Sequence, residues 1–258
     1  MREFWESQAE KFKEGVQAVN FDPLAEELEL FFLEGLIGDG DIFCDMGCGN
    51  GRTLMTLAAK RPKAVFYGVD FAKGMIETAN AKKEEMSLPN VHFYHFDAAS
   101  KDLSSLLDAR FDKVMTKRLL INLKGNEKLK AVENAYSVLK DNGTYIMIEC
   151  FTEPLLRINE IRATLELNEI KVKFFNEYLS FDILEKINDL FRVEKRMDFA
   201  SLYYFISRVF NAALSQGEPD YFSDINRLAV ELTKKGFNPI EGYSPEIMFA
   251  LKKNNEKK

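Results

Sequence analysis

Short β-rich runs alternate with helical periods through the first part of the chain, and this alternation most constrains its fold. The intervening segments carry apolar residues at helical spacing, as in Leu129, Val132, Ala135 and Leu139. Units of this length predict a parallel sheet with helices on both faces, whose ligands bind at the carboxyl ends of the strands. The strand-like runs are 41–45, 64–70, 91–97, 111–116 and 144–150.

Before the sheet, Asp22 and Pro23 are typical of a helix start. After Cys150 the regular alternation of strands and helices ends. The later segments predict, in order, a helix and loop over 153–178, a helix over 181–191, a strand over 192–199, helices over 201–242 and a strand over 246–252. We therefore expect an α/β fold with a doubly wound, mostly parallel seven-stranded sheet that ends in an antiparallel strand pair. A single domain over 1–258 is expected, with a core of 36–152, 180–200 and 243–253, an N-terminal lid of 1–35 and helical cap insertions of 153–179 and 201–242.

The composition indicates the class of protein, its expected location and its expected partners. Hydrophobic residues make up 46% and charged residues 29% of the chain, values typical of globular proteins, and no apolar run is long enough for a membrane helix. The N-terminus lacks a secretory pattern and the three cysteines have no CxxC spacing, so a cytoplasmic protein with reduced cysteines is expected. The net charge of −6 does not attract phosphate backbones, so no nucleic-acid partner is expected. Monomer and homodimer stay open.

A glycine-rich loop follows the first strand of the sheet. Gly47, Gly49 and Gly51 are spaced two apart, which lets the backbone turn tightly and approach a ligand. Asp45 ends the strand, and its carboxylate would repel a pyrophosphate but favour an ammonium group. Arg52 also departs from the dinucleotide-binding pattern of glycines. The loop therefore favours a ligand with an amino-acid moiety.

Further ligand-binding candidates follow the next two strands. Asp70 ends the second strand and can accept hydrogen bonds from both hydroxyl groups of a ribose. Phe71 and Met75 could sandwich an adenine, and Asp97 could bond its amino group. Taken singly, the two aspartates also fit solvated strand ends and Met75 fits the core. Their order along the chain favours one site for amino acid, ribose and adenine.

These residues resemble the successive motifs of the class I (Rossmann-like) S-adenosylmethionine-dependent methyltransferases. The resemblance covers about residues 40–150 and rests on Asp45–Gly51, Asp70, Asp97, Phe111–Leu123 and Leu139–Gly143. It implies S-adenosylmethionine as the donor and a sheet that ends in an antiparallel strand pair. We expect cofactor contacts at Asp45, Gly47, Cys48, Gly49, Asp70, Phe71, Met75, Asp97, Ala98 and Thr116, with Trp5 of the lid above them.

The chemistry of the acceptor is less constrained by the sequence. An alcohol needs a base, whereas an ionised acceptor needs only orientation. His92 and His95 lie within the third strand and favour packing or rim positions. Lys117 and Arg118 follow the fourth strand, where a metal-dependent catechol methyltransferase would place carboxylates, so no metal is expected. The Asn-Pro-Pro-aromatic sequence of amino-directed nucleic-acid methyltransferases is also absent from this position. O-methylation of a small molecule is therefore the favoured reaction.

Arginine and tyrosine residues of the cap complete the expected site. Arg118, Lys117 and Tyr178 are the candidate catalytic residues, with Arg118 beside the methyl group. An anionic acceptor is the hypothesis that the arginines favour, although surface arginine and packed tyrosine are the plainer interpretations. A methyltransferase of protein or tRNA and a nucleotide-binding oxidoreductase stay open. The candidate acceptor contacts are Arg118, Arg157, Arg162, Tyr203, Tyr204 and Arg208.

Overall fold

The computed structural model describes residues 22–97, 99, 102–106, 110–215, 220 and 222–255. The strands are β1 Ile42–Met46, β2 Val65–Asp70, β3 Val91–His95, β4 Phe111–Lys117, β5 Leu139–Cys150, β6 Phe191–Met197 and β7 Glu246–Lys253. The helices are α1 Pro23–Glu34, α2 Arg52–Lys60, α3 Lys73–Glu85, α4 Glu127–Val138, α5 Thr152–Thr164, α6 Asp182–Lys186, α7 Ser201–Phe205, α8 Asn211–Leu214 and α9 Asp224–Lys234. A π-helical turn, Ile206–Phe210, joins α7 to α8.

The strands form one sheet in the order β3-β2-β1-β4-β5-β7-β6. The pairs among β1 to β5 are parallel, whereas β7 runs antiparallel to both β5 and β6. This arrangement confirms the predicted doubly wound sheet with its antiparallel end. The order reverses between β1 and β4, and the carboxyl ends of these strands form the crevice where ligands of such sheets bind.

Two predicted helical regions differ from the structure. The region 181–191 contains only the short helix α6 before turns lead into β6. The region 201–242 is divided by the π-helical turn and by loops on either side of α9. Apolar spacing could not reveal these breaks, because short helical turns have the same pattern as a continuous helix.

Helix α1 is part of the core and not part of a lid. Asp22 caps it by accepting a hydrogen bond from the backbone N–H of Ala25 at 3.1 Å, with Pro23 in the first turn, as the sequence predicts. Leu28 and Leu33 are fully buried in the same apolar cluster as β1 and β2. Residues 22–34 of the expected lid over 1–35 thus pack in the core, whereas residues 1–21 lie outside the described part of the chain and their role as a lid stays a prediction.

Apolar clusters cover both faces of the sheet, as the alternation predicts. One cluster joins α1, α2 and α3 to cap residues such as Tyr203 and Ala229. The other lies between the opposite face and α4, with Tyr145 and Phe249 fully buried in it. Cap and sheet share a core. Among the described residues, none of the helices has the length and apolar character needed to cross a membrane.

Candidate functional site

A cavity of about 790 Å³ opens at the carboxyl ends of the central strands. Its floor comes from the ends of β1, β2, β4 and β5, and its wall includes the start of α1, the loop that follows α5 and part of α7. This placement agrees with the position of ligands in doubly wound sheets. Of the expected site residues, the cavity is lined by Asp45, Gly47, Cys48, Gly49, Asp70, Phe71, Met75, Asp97, Lys117, Arg118, Tyr178, Tyr204 and Arg208.

The glycine loop turns between β1 and α2. Gly47, Gly49 and Gly51 have φ angles of 81°, 55° and 74°, which residues with a side chain adopt only at a cost. A Cβ atom on Gly51 would also overlap the ring of Phe93. The loop therefore needs glycine at Gly51 for two separate reasons, backbone angle and packing.

Asp70 ties this loop to the end of β2. Its carboxylate accepts hydrogen bonds from the backbone N–H of Gly49 at 2.9 Å and of Ala72 at 2.8 Å. Burial raises the pKa of Asp70, and the two N–H donors oppose that rise. Each carboxylate oxygen accepts one of these bonds, and a carboxylate can accept about four in total. Asp70 can therefore still accept hydrogen bonds from the hydroxyl groups of a ribose.

Asp45 has a carboxylate oxygen that lacks a partner. The residue is 2% exposed, and its Oδ1 accepts no hydrogen bond from any of the described residues. Burial raises the pKa of Asp45 to about 7, while the charge of Lys117 opposes the rise. An ammonium group in the cavity would supply both a donor and a compensating charge. The residues present thus fit the amino-acid end of the expected cofactor.

The adenine end is formed after β2 and β3. Phe71, Met75 and Asp97 line the cavity there, together with Phe96, which the sequence analysis missed. Asp97 accepts a hydrogen bond from the backbone N–H of Ala99 at 3.2 Å. Ala98 and Trp5 lie outside the described residues, so their expected cofactor contacts stay predictions.

Arg118 lies in the wall of the cavity, but its charge is compensated. Its Nη1 donates to Oε1 of Glu29 and to Oε1 of Glu246, each at 2.5 Å. Burial opposes the cation, yet these two carboxylates raise the pKa of Arg118 above its ordinary value. The expectation of a guanidinium free to bind an anion is therefore corrected. This pairing could not be predicted from local sequence patterns, because Glu246 is 128 positions away.

Lys117 belongs to the same cluster. Its Nζ lies 3.0 Å from Oε2 of Glu29 and donates to Oγ1 of Thr53 at 2.8 Å. Although burial opposes ionisation, Arg118 and Lys117 together lower the pKa of Glu29 to about 2. Lys117 is consequently paired as well, and the cluster is a structural unit of the cavity wall.

Glu149 fixes the turn that carries Arg118. Its fully buried carboxylate accepts hydrogen bonds from the backbone N–H groups of Leu119, Leu120 and Ile121, at 3.1, 3.0 and 3.3 Å. Arg118 itself has a φ of 52° at the start of this turn. A glutamate within the apolar run Ile146–Phe151 is the sequence signal that could have indicated such a role.

The sequence model of a family described as "Methyltransferase domain" matches residues 37–199. The chain is a class I, S-adenosylmethionine-dependent methyltransferase domain. The matched residues run from just before β1 to just after β6 and include the glycine loop, Asp45 and Asp70. The oxidoreductase alternative loses its support with this match.

Comparison with individual proteins extends the match. The methyltransferase is 35% identical over 69 residues to tRNA (guanine-N(7)-)-methyltransferase of Synechococcus elongatus, covering 27% of this chain and 32% of that protein. It is 24% identical over 160 residues to carboxy-S-adenosyl-L-methionine synthase of Nautilia profundicola, covering 62% and 64%. The chain thus spans less than two thirds of the length of these curated relatives. Geranyl diphosphate C-methyltransferase of Streptomyces coelicolor shares the fold, with a TM-score of 0.55 and 14% identity over 89% of this chain and 79% of that one.

Four expected contacts of the methyltransferase lie outside the cavity wall. Thr116 is fully buried and bonds to the hydroxyl of Tyr145 at 2.6 Å. Tyr203 donates instead to Oδ1 of Asp22 at 2.8 Å. The remaining two are the cap arginines Arg157, whose guanidinium lies 5.7 Å from the ring centre of Tyr243, and Arg162, which donates to the carbonyl of Asn168 at 2.6 Å. The structure does not bring these four side chains to the cavity, because each is engaged elsewhere, and their expected contacts stay predictions.

Residues that the sequence analysis did not single out complete the cavity of the methyltransferase. They include Ile170, Lys171, Lys173 and Phe175 of the cap, Lys124 before α4 and Glu246 at the start of β7. Neither histidine lines the cavity: His92 packs against Tyr67 and His95 bonds to the carbonyl of Phe71 at 2.8 Å. Within the described residues, no group of three or more histidine, cysteine, aspartate or glutamate side chains is arranged to hold a metal ion.

Proposed function

We propose that the protein is an O-methyltransferase that acts on a small, anionic molecule. One observation carries this proposal: a single cavity of about 790 Å³ is lined both by the cofactor-binding strand ends and by side chains of the cap. Donor and acceptor would share this space. The volume lies within the range of about 300–1,000 Å³ that small-molecule sites occupy.

The donor half follows from the residues already described. When bound, S-adenosylmethionine supplies an electrophilic methyl group on a positively charged sulfur. Asp45 would bind the ammonium group through its unpartnered Oδ1, and Asp70 would accept hydrogen bonds from the ribose. Phe71 and Met75 would contact the adenine. These contacts would fix the orientation of the methyl group relative to an acceptor in the same cavity.

The cationic part of the wall supports an anionic acceptor. Lys124 and Lys171 line the cavity, and neither forms an ion pair with a carboxylate of the described residues. Arg208 also lines it but pairs with Asp22 at 2.6 Å, as Arg118 pairs with its two glutamates. We therefore place the negative group of the acceptor towards the two lysines and away from the arginines.

Transfer of label from methyl-tritiated S-adenosylmethionine to three acceptor pools from cells tests the proposal: low-molecular-mass metabolites, bulk tRNA and protein. We expect label in metabolites that an anion-exchange resin retains. Asp45→Asn should lose most of this transfer, while Glu194→Gln, on the exposed side of β6, should keep it. Label in the tRNA pool would contradict the proposal and favour the activity named for the Synechococcus relatives. Label in protein would contradict it equally.

A further inference from the structure

Glu246 presents a carboxylate oxygen to the cavity. It is the first residue of β7, pairs with Cys150 at the end of β5, and is 3% exposed. Its Oε1 accepts the hydrogen bond from Arg118 at 2.5 Å, whereas Oε2 accepts none from the described part of the chain. Because Glu246 lines the cavity, Oε2 is available to a bound molecule.

The other candidate bases near the cap are occupied or remain protonated. Asp22 accepts hydrogen bonds from Ala25 and Tyr203 on Oδ1 and from Arg208 on Oδ2. Burial raises the pKa of Tyr178 far above its ordinary value, so its phenol stays protonated at neutral pH. The same holds for Tyr204, whose pKa burial also raises.

The charges around Glu246 allow it to take up a proton. Burial, together with the negative charge of Glu29, raises the pKa of Glu246 to about 8, and Arg118 opposes the rise. Glu29 stays ionised because it has both Lys117 and Arg118 as partners. A cationic ligand in the cavity would favour the ionised form of Glu246. The titratable and charged groups that influence Glu246 or are influenced by it are Glu29, Lys117, Arg118, Cys150, Tyr178 and Tyr204.

We propose that Glu246 is the general base of the reaction and that the acceptor is therefore methylated at a hydroxyl group. This inference rests on the proposed function and specifies its acceptor further: a hydroxyl lies at Oε2 of Glu246 while an anionic group lies towards Lys124 and Lys171. A carboxylate as the reacting group is disfavoured, because its oxygen would face the ionised Glu246.

The step balances without a further reactant. The acceptor oxygen forms a bond to the methyl carbon while its proton moves to Oε2 of Glu246. The electron pair of the broken carbon–sulfur bond stays on sulfur, which becomes a neutral thioether. Glu246 then loses its proton to solvent. Arg118 is a positioning residue, since it donates to Oε1, the other oxygen of Glu246, and Glu29 acts through Arg118, whose Nη1 it also binds.

Glu246→Gln tests the inference because glutamine keeps the shape but cannot accept the proton. With tritiated donor and the metabolite pool, we expect the rate of label transfer to fall at least about 100-fold, within the usual contribution of a general base. Affinity for S-adenosylhomocysteine should stay within about tenfold, which also reports folding. Glu194→Gln, exposed on the neighbouring strand β6, is the control. A Glu246→Gln rate within threefold of the wild type would overturn the inference.

The pH profile separates a base from a structural residue. Wild-type transfer should rise with pH as Glu246 ionises, and Glu246→Gln should lack this rise. If Glu246→Gln does not fold, the wild type still decides, because a flat profile from about pH 6 to about pH 9 overturns the assignment. Absence of a labelled metabolite with the wild type would instead overturn the proposed function, and this inference with it.

A readout without turnover completes the test. Calorimetric titration with S-adenosylmethionine, without an acceptor and in two buffers of different ionisation enthalpy, counts the protons released on binding. The sulfonium charge of this probe favours the ionised form of Glu246, so we expect the wild type to release protons at about pH 7.5 and Glu246→Gln to release fewer. Equal release by both proteins would show that Glu246 does not respond to the bound ligand and would contradict the inference.

Discussion

At the scale of single residues, the site depends on carboxylates that have been removed from water. Asp45, Glu149 and Glu246 are each no more than 3% exposed, and burial raises the pKa of all three. They differ in their partners. Glu149 accepts three backbone hydrogen bonds, Glu246 accepts one from Arg118, and Oδ1 of Asp45 accepts none from the described residues. The fewer partners a carboxylate has inside the protein, the more it depends on a ligand.

Asp45→Asn should therefore separate binding from stability. We expect affinity for S-adenosylhomocysteine to fall at least tenfold, about 1.4 kcal/mol, because the variant lacks the charge that attracts the ammonium group. The free energy of unfolding without ligand should rise by about 1–3 kcal/mol, since a buried carboxylate without a partner is removed. Calorimetry and urea titration measure the two effects. Asp39→Asn, at an exposed ion pair with Lys63, should change neither.

The stability difference between wild type and Asp45→Asn should also depend on pH. The pKa of Asp45 is about 7 in the folded protein and 3.8 without burial. Between these values the folded state holds a proton that the unfolded state has lost, so the wild type loses stability relative to the variant as pH rises from about 4 to about 7. Urea midpoints of both proteins across this range measure the effect. A constant difference would contradict the raised pKa.

Site residues in local patterns could be predicted from the sequence, whereas contacts between distant positions could not. Asp45 and Asp70 could be predicted, because a strand end beside a glycine loop is a local pattern. The partners of Arg118 could not, because Glu29 lies 89 positions before it and Glu246 lies 128 positions after it. Only the tertiary fold brings them together. A lone glutamate at the start of an apolar strand, as at Glu246, is the sequence pattern that indicates a buried carboxylate at the site.

At the scale of elements, the glycine loop is fixed by packing as well as by backbone angle. Gly51→Ala should lower the free energy of unfolding by at least about 3 kcal/mol, because the new Cβ meets Phe93 in addition to an unfavourable φ. Gly40→Ala is the matched control: its φ is 86°, with nothing within 4 Å of the new Cβ, and it should cost only about 1 kcal/mol. Equal losses in urea titration would contradict the packing role of Phe93.

The turn after β4 depends on one side chain from β5. Glu149→Ala leaves the N–H groups of Leu119, Leu120 and Ile121, the last two of them buried, without their acceptor and should destabilise the protein by about 3 kcal/mol or more. Glu149→Gln retains one acceptor oxygen and should lose less. Thermal unfolding of both variants measures this order. If glutamine proves as damaging as alanine, the negative charge matters more than the hydrogen bonds.

The strands of the sheet were more predictable than the cap. Their β-branched and aromatic runs are bounded by loops, so β1, β2, β3 and β4 match their predicted limits within about two residues. The predicted strand over 144–150 begins five residues after the observed start of β5 at Leu139, because residues 139–143 lack strand-like composition. Helical insertions have no such boundaries, and the π-helical turn within 201–214 leaves no trace in apolar spacing.

At the scale of the whole molecule, cap and sheet should unfold together. Tyr203 and Ala229 of the cap belong to the same apolar cluster as Leu28 and Phe43. Asp22 joins the two parts further, since it caps α1 and pairs with Arg208. Hydrogen exchange should therefore give α9 and the central strands the same free energy of opening. Earlier opening of α9 would show that the cap is a separate cooperative unit.

The long separation between Arg118 and Glu246 has a consequence for biosynthesis. The last strand supplies Glu246 128 residues after the ribosome has made Arg118. At about 5–20 residues per second, this interval is about 6–26 seconds. Glu29 and the residues proposed to bind the donor have already been synthesised during that time, whereas the proposed base has not. The residues proposed to hold the methyl donor are thus synthesised before the group that would activate an acceptor, but the cavity is complete only after the cap and β7 have joined the common core.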